Sequence, residues 1–289
     1  AIKDTNIVVI AKPVVDFQTP PGICLGGSMQ FTNLTTPTTG VTYLWNFNDP
    51  NATVPNPNTS TVKDPLHIYT STGPFNVSLT VTLNGYGCAD TKTKALSSTI
   101  YQLPTAVITA PATACLRDST VFSSTSSTGG SGNTVTMWNW DFGGGVTSTL
   151  QNPKHAYTTT GVKKVTLTVT SDKGCISAPV THNITLNPTP NVTYTAIPNV
   201  CANASAFNLT QFTETTGLPG SFTYTGTGVS GNSFNPATSG VGTFQVIATY
   251  NTSNGCKDAD TTSVTVWPLP TVDFTIGTLN CEKSAITFA

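Results

Sequence analysis

Seven cysteines set the tightest limit on how this 289-residue chain folds: Cys24, Cys88, Cys115, Cys175, Cys201, Cys256 and Cys281. The first, third, fifth and seventh recur after 91, 86 and 80 residues (115−24, 201−115, 281−201). A slowly drifting period of that size marks a tandem array of small domains. Zinc sites want close pairs such as Cys-x-x-Cys, and the sequence has none. A cysteine nucleophile needs a histidine partner, and histidine occurs only as His67, His155 and His182. Disulfides remain. Pairing neighbours gives Cys24–Cys88, Cys115–Cys175 and Cys201–Cys256, one bridge within each domain, with Cys281 left unpaired in this stretch. Each bridge would close a loop of about 60 residues and contribute roughly 4 kcal/mol in the chain-entropy model. Bridges of this kind call for an oxidising compartment.

The flanks of the cysteines repeat as well. Each unit opens on a proline and an alternating apolar run: Pro13-Val14-Val15-Asp16-Phe17, Pro104-Thr105-Ala106-Val107-Ile108, Pro190-Asn191-Val192-Thr193-Tyr194 and Pro270-Thr271-Val272-Asp273-Phe274. The second cysteine always follows a glycine, Gly87, Gly174 or Gly255. Before it runs an alternating strand, such as Val165-Thr166-Leu167-Thr168-Val169, and after it another, which predicts a hairpin. Short alternating strands, Gly/Asn/Pro turns and no helical period predict an all-β fold of tandem immunoglobulin-like β-sandwiches. The expected layout is a closing strand of a preceding domain over 1–11, domains over 12–103, 104–187 and 188–268, and the start of a fourth over 269–289.

The first two units resemble the PKD (polycystic-kidney-disease) domain family. The carriers are Trp140-Asp141-Phe142-Gly143-Gly144-Gly145, His155-Ala156-Tyr157, Gly161 and the strand from Val165 to Val169 in one unit. In the other they are Trp45-Asn46-Phe47-Asn48-Asp49-Pro50, His67-Ile68-Tyr69, Gly73 and Val77-Ser78-Leu79-Thr80-Val81. The first unit departs from the family pattern at Asn46, Asn48 and Pro50. The third unit lacks the Trp and His motifs and looks like the divergent immunoglobulin-like repeats of large Bacteroidetes surface proteins. The resemblance implies a PKD-type sandwich and an adhesin-like setting.

The conspicuous residues read as structure. Trp45 with Phe47, and Trp140 with Phe142, stand at i and i+2 and so share one face of a strand; an inward row of this kind fills a sandwich core. His67, Tyr69, His155 and Tyr157 recur at matching places in two units, which suits a structural motif. No catalytic residue, metal site or cofactor is expected: the sequence has no Gly-x-Ser-x-Gly, His-Glu-x-x-His or phosphate loop. Charged residues make up only 9% of the chain and the net charge is -1, so no basic face awaits nucleic acid. No segment approaches the ~18 apolar residues of a membrane span.

These readings converge on a non-catalytic stalk, adhesin or filament segment outside the cell, on a bacterial surface. Expected partners are neighbouring repeats of the same chain or head-to-tail copies, with surface glycans or other cells as further candidates. Pro-containing linkers such as Asn187-Pro188-Thr189-Pro190 would act as semi-rigid joints. The competing reading is a glycan-binding or spacer module of a secreted polysaccharide-degrading enzyme or protease.

Overall fold

In the first repeat the alternation of Asn76–Leu83 organises the sheet, because Val77, Leu79 and Val81 all point inward. The computed structural model describes residues 9–96 and 100–273. That strand is the hub of a four-stranded antiparallel sheet ordered Thr59–Ser60, Val41–Asn46, Asn76–Leu83, Ala89–Ala95. Short ladders complete the sandwich: Phe17–Gln18 with Thr32–Asn33, and Ser28–Gln30 with Leu66–Ile68. Their inward residues Phe17 and Met29, and Phe31 between two of these strands, pack with Trp45, Phe47, Leu79 and Tyr69 in one core. Phe17 meets Trp45 edge-on at 5.1 Å between ring centroids, a favoured aromatic geometry.

The second repeat builds a five-stranded sheet ordered Thr113–Cys115, Val180–Asn187, Gly161–Ser171, Val135–Asp141, Thr147–Ser148. Trp140 stands opposite Leu167 in its ladder, as Trp45 stands opposite Leu79 in the first repeat. Phe122, Trp140, Phe142, Val165, Leu167, Val169, Ile184 and Leu186 are buried. The third repeat has a four-stranded sheet ordered Val200–Cys201, Lys257–Trp267, Gly242–Thr252, Gly220–Thr225, and a three-stranded one ordered Phe207–Asn208, Ser233–Phe234, Val229–Ser230. It has no tryptophan at the central ladder position. Tyr224 takes that place, opposite Ala248. All three are immunoglobulin-like β-sandwiches, and the one helix among the described residues is the single turn Pro236–Ser239.

Within the described residues the chain divides into two compact units. One runs to Ala112 and adds Ser119–Ala156 and Val162–Thr185; the other comprises Thr113–Asp118, Tyr157–Gly161 and the chain from Leu186. Of the expected closing strand, residues up to Val8 lie outside the described residues, and Val9 and Ile10 belong to no strand. The expected fourth unit, Cys281 included, lies outside them beyond Asp273.

The disulfides correct the sequence reading. Cys24 is bonded to Cys175 and Cys115 to Cys256, while Cys88 and Cys201 are free. None of the expected pairings within a repeat, Cys24–Cys88, Cys115–Cys175 or Cys201–Cys256, is present. The reason is strand length. The second cysteine of a repeat opens the run of chain that returns to the exit end, directly before Ala89–Ala95 and Lys257–Trp267 and five residues before Val180–Asn187, and the first lies beside the end of that run, at Tyr101, Trp267 or Asn187. In the third repeat Lys257–Trp267 starts directly after Cys256 and runs 11 residues to Trp267, which pairs with Cys201. At about 3.3 Å per residue the two cysteines sit roughly 36 Å apart. The bonded cysteines have Cα separations of 5.5 and 5.6 Å.

Trp140 is fully buried, and its indole Nε1 donates to the Leu150 carbonyl at 2.9 Å. Trp140→Ala should therefore lower unfolding stability by about 3–5 kcal/mol in urea titration followed by circular dichroism. Trp138→Ala, at a half-buried position on the same strand, should cost clearly less. Equal losses would contradict this placement of the core.

Candidate functional site at the repeat junctions

Each repeat presents two cysteine settings, one at each end, and their backbone frames recur. At the exit end, where the chain leaves for the next repeat, Ile23–Cys24 pairs in parallel with Ile100–Tyr101, and Val200–Cys201 with the end of Lys257–Trp267. The residue after the cysteine donates its amide to the residue ending the last strand: Leu25 to Tyr101 at 2.8 Å, Leu116 to Asn187 at 2.9 Å and Ala202 to Trp267 at 2.9 Å. A tight turn follows, closed by Gly27, Asp118 and Ala204 donating to the carbonyls of Cys24, Cys115 and Cys201 at 2.9, 3.1 and 2.9 Å.

At the opposite end the hairpin cysteine accepts a hydrogen bond at its carbonyl. Leu83 donates to Cys88 at 2.9 Å, Ser171 to Cys175 at 2.9 Å and Thr252 to Cys256 at 2.8 Å. The glycine before each cysteine has a left-handed φ of 66°, 77° or 80° at Gly87, Gly174 and Gly255. That conformation is strained for residues with a Cβ, which explains the repeated Gly-Cys pair.

In the first compact unit, the Cys24–Cys175 bond joins the exit end of one repeat to the hairpin of the next. Lys173 adds to the joint: its Nζ lies 3.0 Å from the Asp172 carboxylate and 5.9 Å from the Tyr101 ring centroid. The hydrogen bond from Lys173 lowers the Asp172 pKa, and Asp172 raises that of Lys173. Both are solvent-exposed enough that the pair itself adds little stability. In the second unit Cys115 joins Cys256 in the same sense, and Thr189 Oγ1 donates to the Leu116 carbonyl at 2.8 Å. Sequence reasoning missed these joints. The parallel pairing that places the first cysteine beside residue 101, 187 or 267 is long-range and has no local signal.

The aromatic and histidine motif lies in the core, away from the joints. Trp45, Phe47, His67 and Tyr69 are buried, as are Trp140, Phe142 and Tyr157, and His155 is half-buried. His67 stacks on Phe47 at 4.2 Å, and His155 on Phe142 at 4.7 Å. Tyr69 donates its hydroxyl to the Phe47 carbonyl at 2.9 Å. His67 Nε2 lies 3.0 Å from the buried Asp49 carboxylate, so Asp49, which looks like a loop carboxylate in the sequence, is an internal partner. Burial lowers the His67 pKa below 6.5, against the opposing pull of Asp49; burial also lowers that of His155. With Trp45 and Trp140 buried, neither aromatic row faces a sugar. The exposed rings Tyr86, Tyr194 and Trp267 lie on separate elements. Among the described residues, no group of three or more His, Cys, Asp or Glu side chains comes together as a metal site. No described helix is long and apolar enough to cross a membrane.

Comparison with known proteins agrees with the sandwich geometry. A family model for the PKD domain matches residues 10–100 and again 101–186. A microbial collagenase of Vibrio alginolyticus is 40% identical over 84 residues, 29% of this chain and 10% of that protein. The pre-pro-metalloprotease PrtV of Vibrio cholerae serotype O1 is 44% identical over 84 residues, 29% of this chain and 8% of that protein. The chain thus spans about a tenth or less of the length of these curated relatives. The crystal structure of the PKD1 domain of Vibrio cholerae PrtV is 34% identical, covering 29% of this chain and 98% of that domain, with a TM-score of 0.26. PKD domains are generally non-catalytic modules, and they occur in secreted proteins and proteases.

The buried histidines set a pH dependence. Their folded-state pKa values lie below the unfolded value, so the unfolded chain binds more protons as pH falls through 6.5. Stability should be at its plateau above that pH and decline below it, until the folded-state values are passed. Urea unfolding between pH 7.5 and 5.5 should show this decline. The double variant His67→Gln, His155→Gln should flatten it; an unaltered slope would assign the decline to other groups.

Proposed function

We infer that this chain, which belongs to the PKD-domain family, is a non-catalytic spacer segment of a protein that works outside the cytoplasm, its successive repeats locked together covalently. The observation that carries this reading is the crossing of the two disulfides. Cys24–Cys175 spans 151 residues and Cys115–Cys256 spans 141, and the spans interleave. Three stretches of chain therefore run in parallel between the two crosslinks: Cys24 to Cys115, Cys115 to Cys175, and Cys175 to Cys256. A single cut in any of them leaves the chain in one piece. Tension is carried by the shortest of the three. This arrangement suits a spacer exposed to proteases and to pulling, and disulfides persist in such oxidising surroundings. Two settings share this chemistry. One is a stalk or adhesin of a cell surface, towards which the third repeat's sequence resemblance to repeats of large surface proteins points. The other is a module beside a secreted hydrolase, favoured by the collagenase and metalloprotease relatives.

Single-molecule pulling tests the covalent spacer. With both bridges intact, complete unfolding should extend the stretch from Cys24 to Cys256 to no more than the 60 residues from Cys115 to Cys175 allow, roughly 200 Å. After reduction the same stretch should reach roughly 800 Å. Equal extensions in the two states would remove the interlock.

A further inference from the structure

We propose that Cys88 and Cys201 are not spare thiols but the two open positions of the same disulfide relay, each built to bond a neighbouring domain of this fold. The proposal rests on the spacer reading and extends it. Both bonds in the structure follow one rule: the exit-end cysteine of a repeat joins the hairpin cysteine of the repeat after it, as in Cys24–Cys175 and Cys115–Cys256. By position and by hydrogen bonding, Cys201 is an exit-end cysteine. It pairs in parallel with Trp267 as Cys24 does with Tyr101, and its repeat has the same amide bond, from Ala202 to Trp267, and the same turn, from Ala204 to Cys201. Cys88 is a hairpin cysteine, with the Leu83 to Cys88 bond and the left-handed Gly87 before it.

The two free thiols also differ from their bonded equivalents in the way the rule requires. Cys175 and Cys256 are fully buried, whereas Cys88, in the same hairpin frame, is only half-buried. Cys24 and Cys115 are half-buried, whereas Cys201 is exposed. Each free cysteine thus keeps the backbone frame of a bonded one and exposes more of its surface. Cys201 is offered to a Gly-Cys hairpin, and Cys88 to the exit end of a sandwich. The two cannot serve each other within one repeat, because they occupy opposite ends of different repeats.

The chemistry is thiol–disulfide exchange. The thiolate of Cys201 attacks a disulfide oxidant, such as an oxidised thiol–disulfide oxidoreductase or glutathione disulfide, and forms a mixed disulfide with release of one thiol. The hairpin thiolate of the neighbouring domain then displaces the second sulfur of the oxidant. One protein S–S bond forms, two thiol protons are given up, and the two electrons reduce one disulfide of the oxidant to two thiols.

The test begins with the native protein, alkylated before denaturation and mapped without reduction. Cys88 and Cys201 should escape alkylation. Cys201 should appear crosslinked to a peptide bearing Gly-Cys, and Cys88 to a peptide whose cysteine follows a proline-led strand. The source of the partner is separated by oxidising the 289-residue chain alone with glutathione disulfide. Head-to-tail multimers joined Cys201 to Cys88, and abolished by Cys201→Ser, place the partner on a second copy. Monomers from this chain, beside a linked Cys201 in the native protein, place it on a longer continuation of the same chain. Full alkylation of Cys88 and Cys201, with Cys24–Cys175 and Cys115–Cys256 intact, overturns the relay and leaves the spacer reading standing. Like-to-like bonds, Cys201 to Cys201 or Cys88 to Cys88, overturn it too. Loss of the Cys24–Cys175 and Cys115–Cys256 bonds themselves would defeat the spacer reading instead.

Discussion

The parallel pairing of a two-residue strand with the last strand residues of a sandwich places the cysteines on which the linkage of the repeats depends. It holds Cys24 beside Tyr101 and Cys201 beside Trp267, and the Leu116 to Asn187 bond holds Cys115 in the same way. Because the other cysteine stands at the start of the run of chain that leads to this pairing, as Cys256 does before Lys257–Trp267, the two cysteines of a repeat are kept apart by the length of that run. A disulfide tolerates a Cα separation of only about 4.4–6.8 Å, so neither can reach the other. What each can reach is the adjoining repeat. Strand length thereby turns a familiar cysteine pair into a link between domains.

That link changes how the small domains gain stability. Sandwiches of 80 to 90 residues bury a limited core, and these cores rest on a few large rings, Trp45 with Phe17 and Phe31 in one repeat and Trp140 with Phe122 and Phe142 in another. The third repeat manages with Tyr224, Phe222 and Tyr250. A bridge inside one repeat would stabilise that repeat alone. Bridges spanning 151 and 141 residues restrict the unfolded ensemble of two repeats at once. They also keep the exit end and the following hairpin in register, where Lys173 and Tyr101 meet.

The local layers of this organisation are legible in the sequence. The alternation through Val77, Leu79 and Val81 and through Val165, Leu167 and Val169 specifies inward faces, and the i, i+2 aromatics fall where such faces need bulk. Gly87, Gly174 and Gly255 announce hairpins that only a left-handed residue closes. The cysteine partners are not legible, because nearest-neighbour pairing assumes that residues close in the repeat are close in space. That assumption fails when one cysteine opens a long strand and the other pairs with its far end. The role of Asp49 is hidden for a similar reason: a carboxylate beside Pro50 looks like a surface turn until His67, 18 residues on, is seen to bury it.

The account stands or falls on which sulfurs are joined. Tandem mass spectrometry of non-reduced peptides from a combined trypsin and chymotrypsin digest, which separates Cys175, Cys201 and Cys256 by cutting at the aromatic and leucine residues between them, reads this directly on protein exported through an oxidising compartment. The structure requires the Cys24 peptide to be crosslinked to the Cys175 peptide, and the Cys115 peptide to the Cys256 peptide. Recovery of Cys24 crosslinked to Cys88, and of Cys115 crosslinked to Cys175, would contradict it.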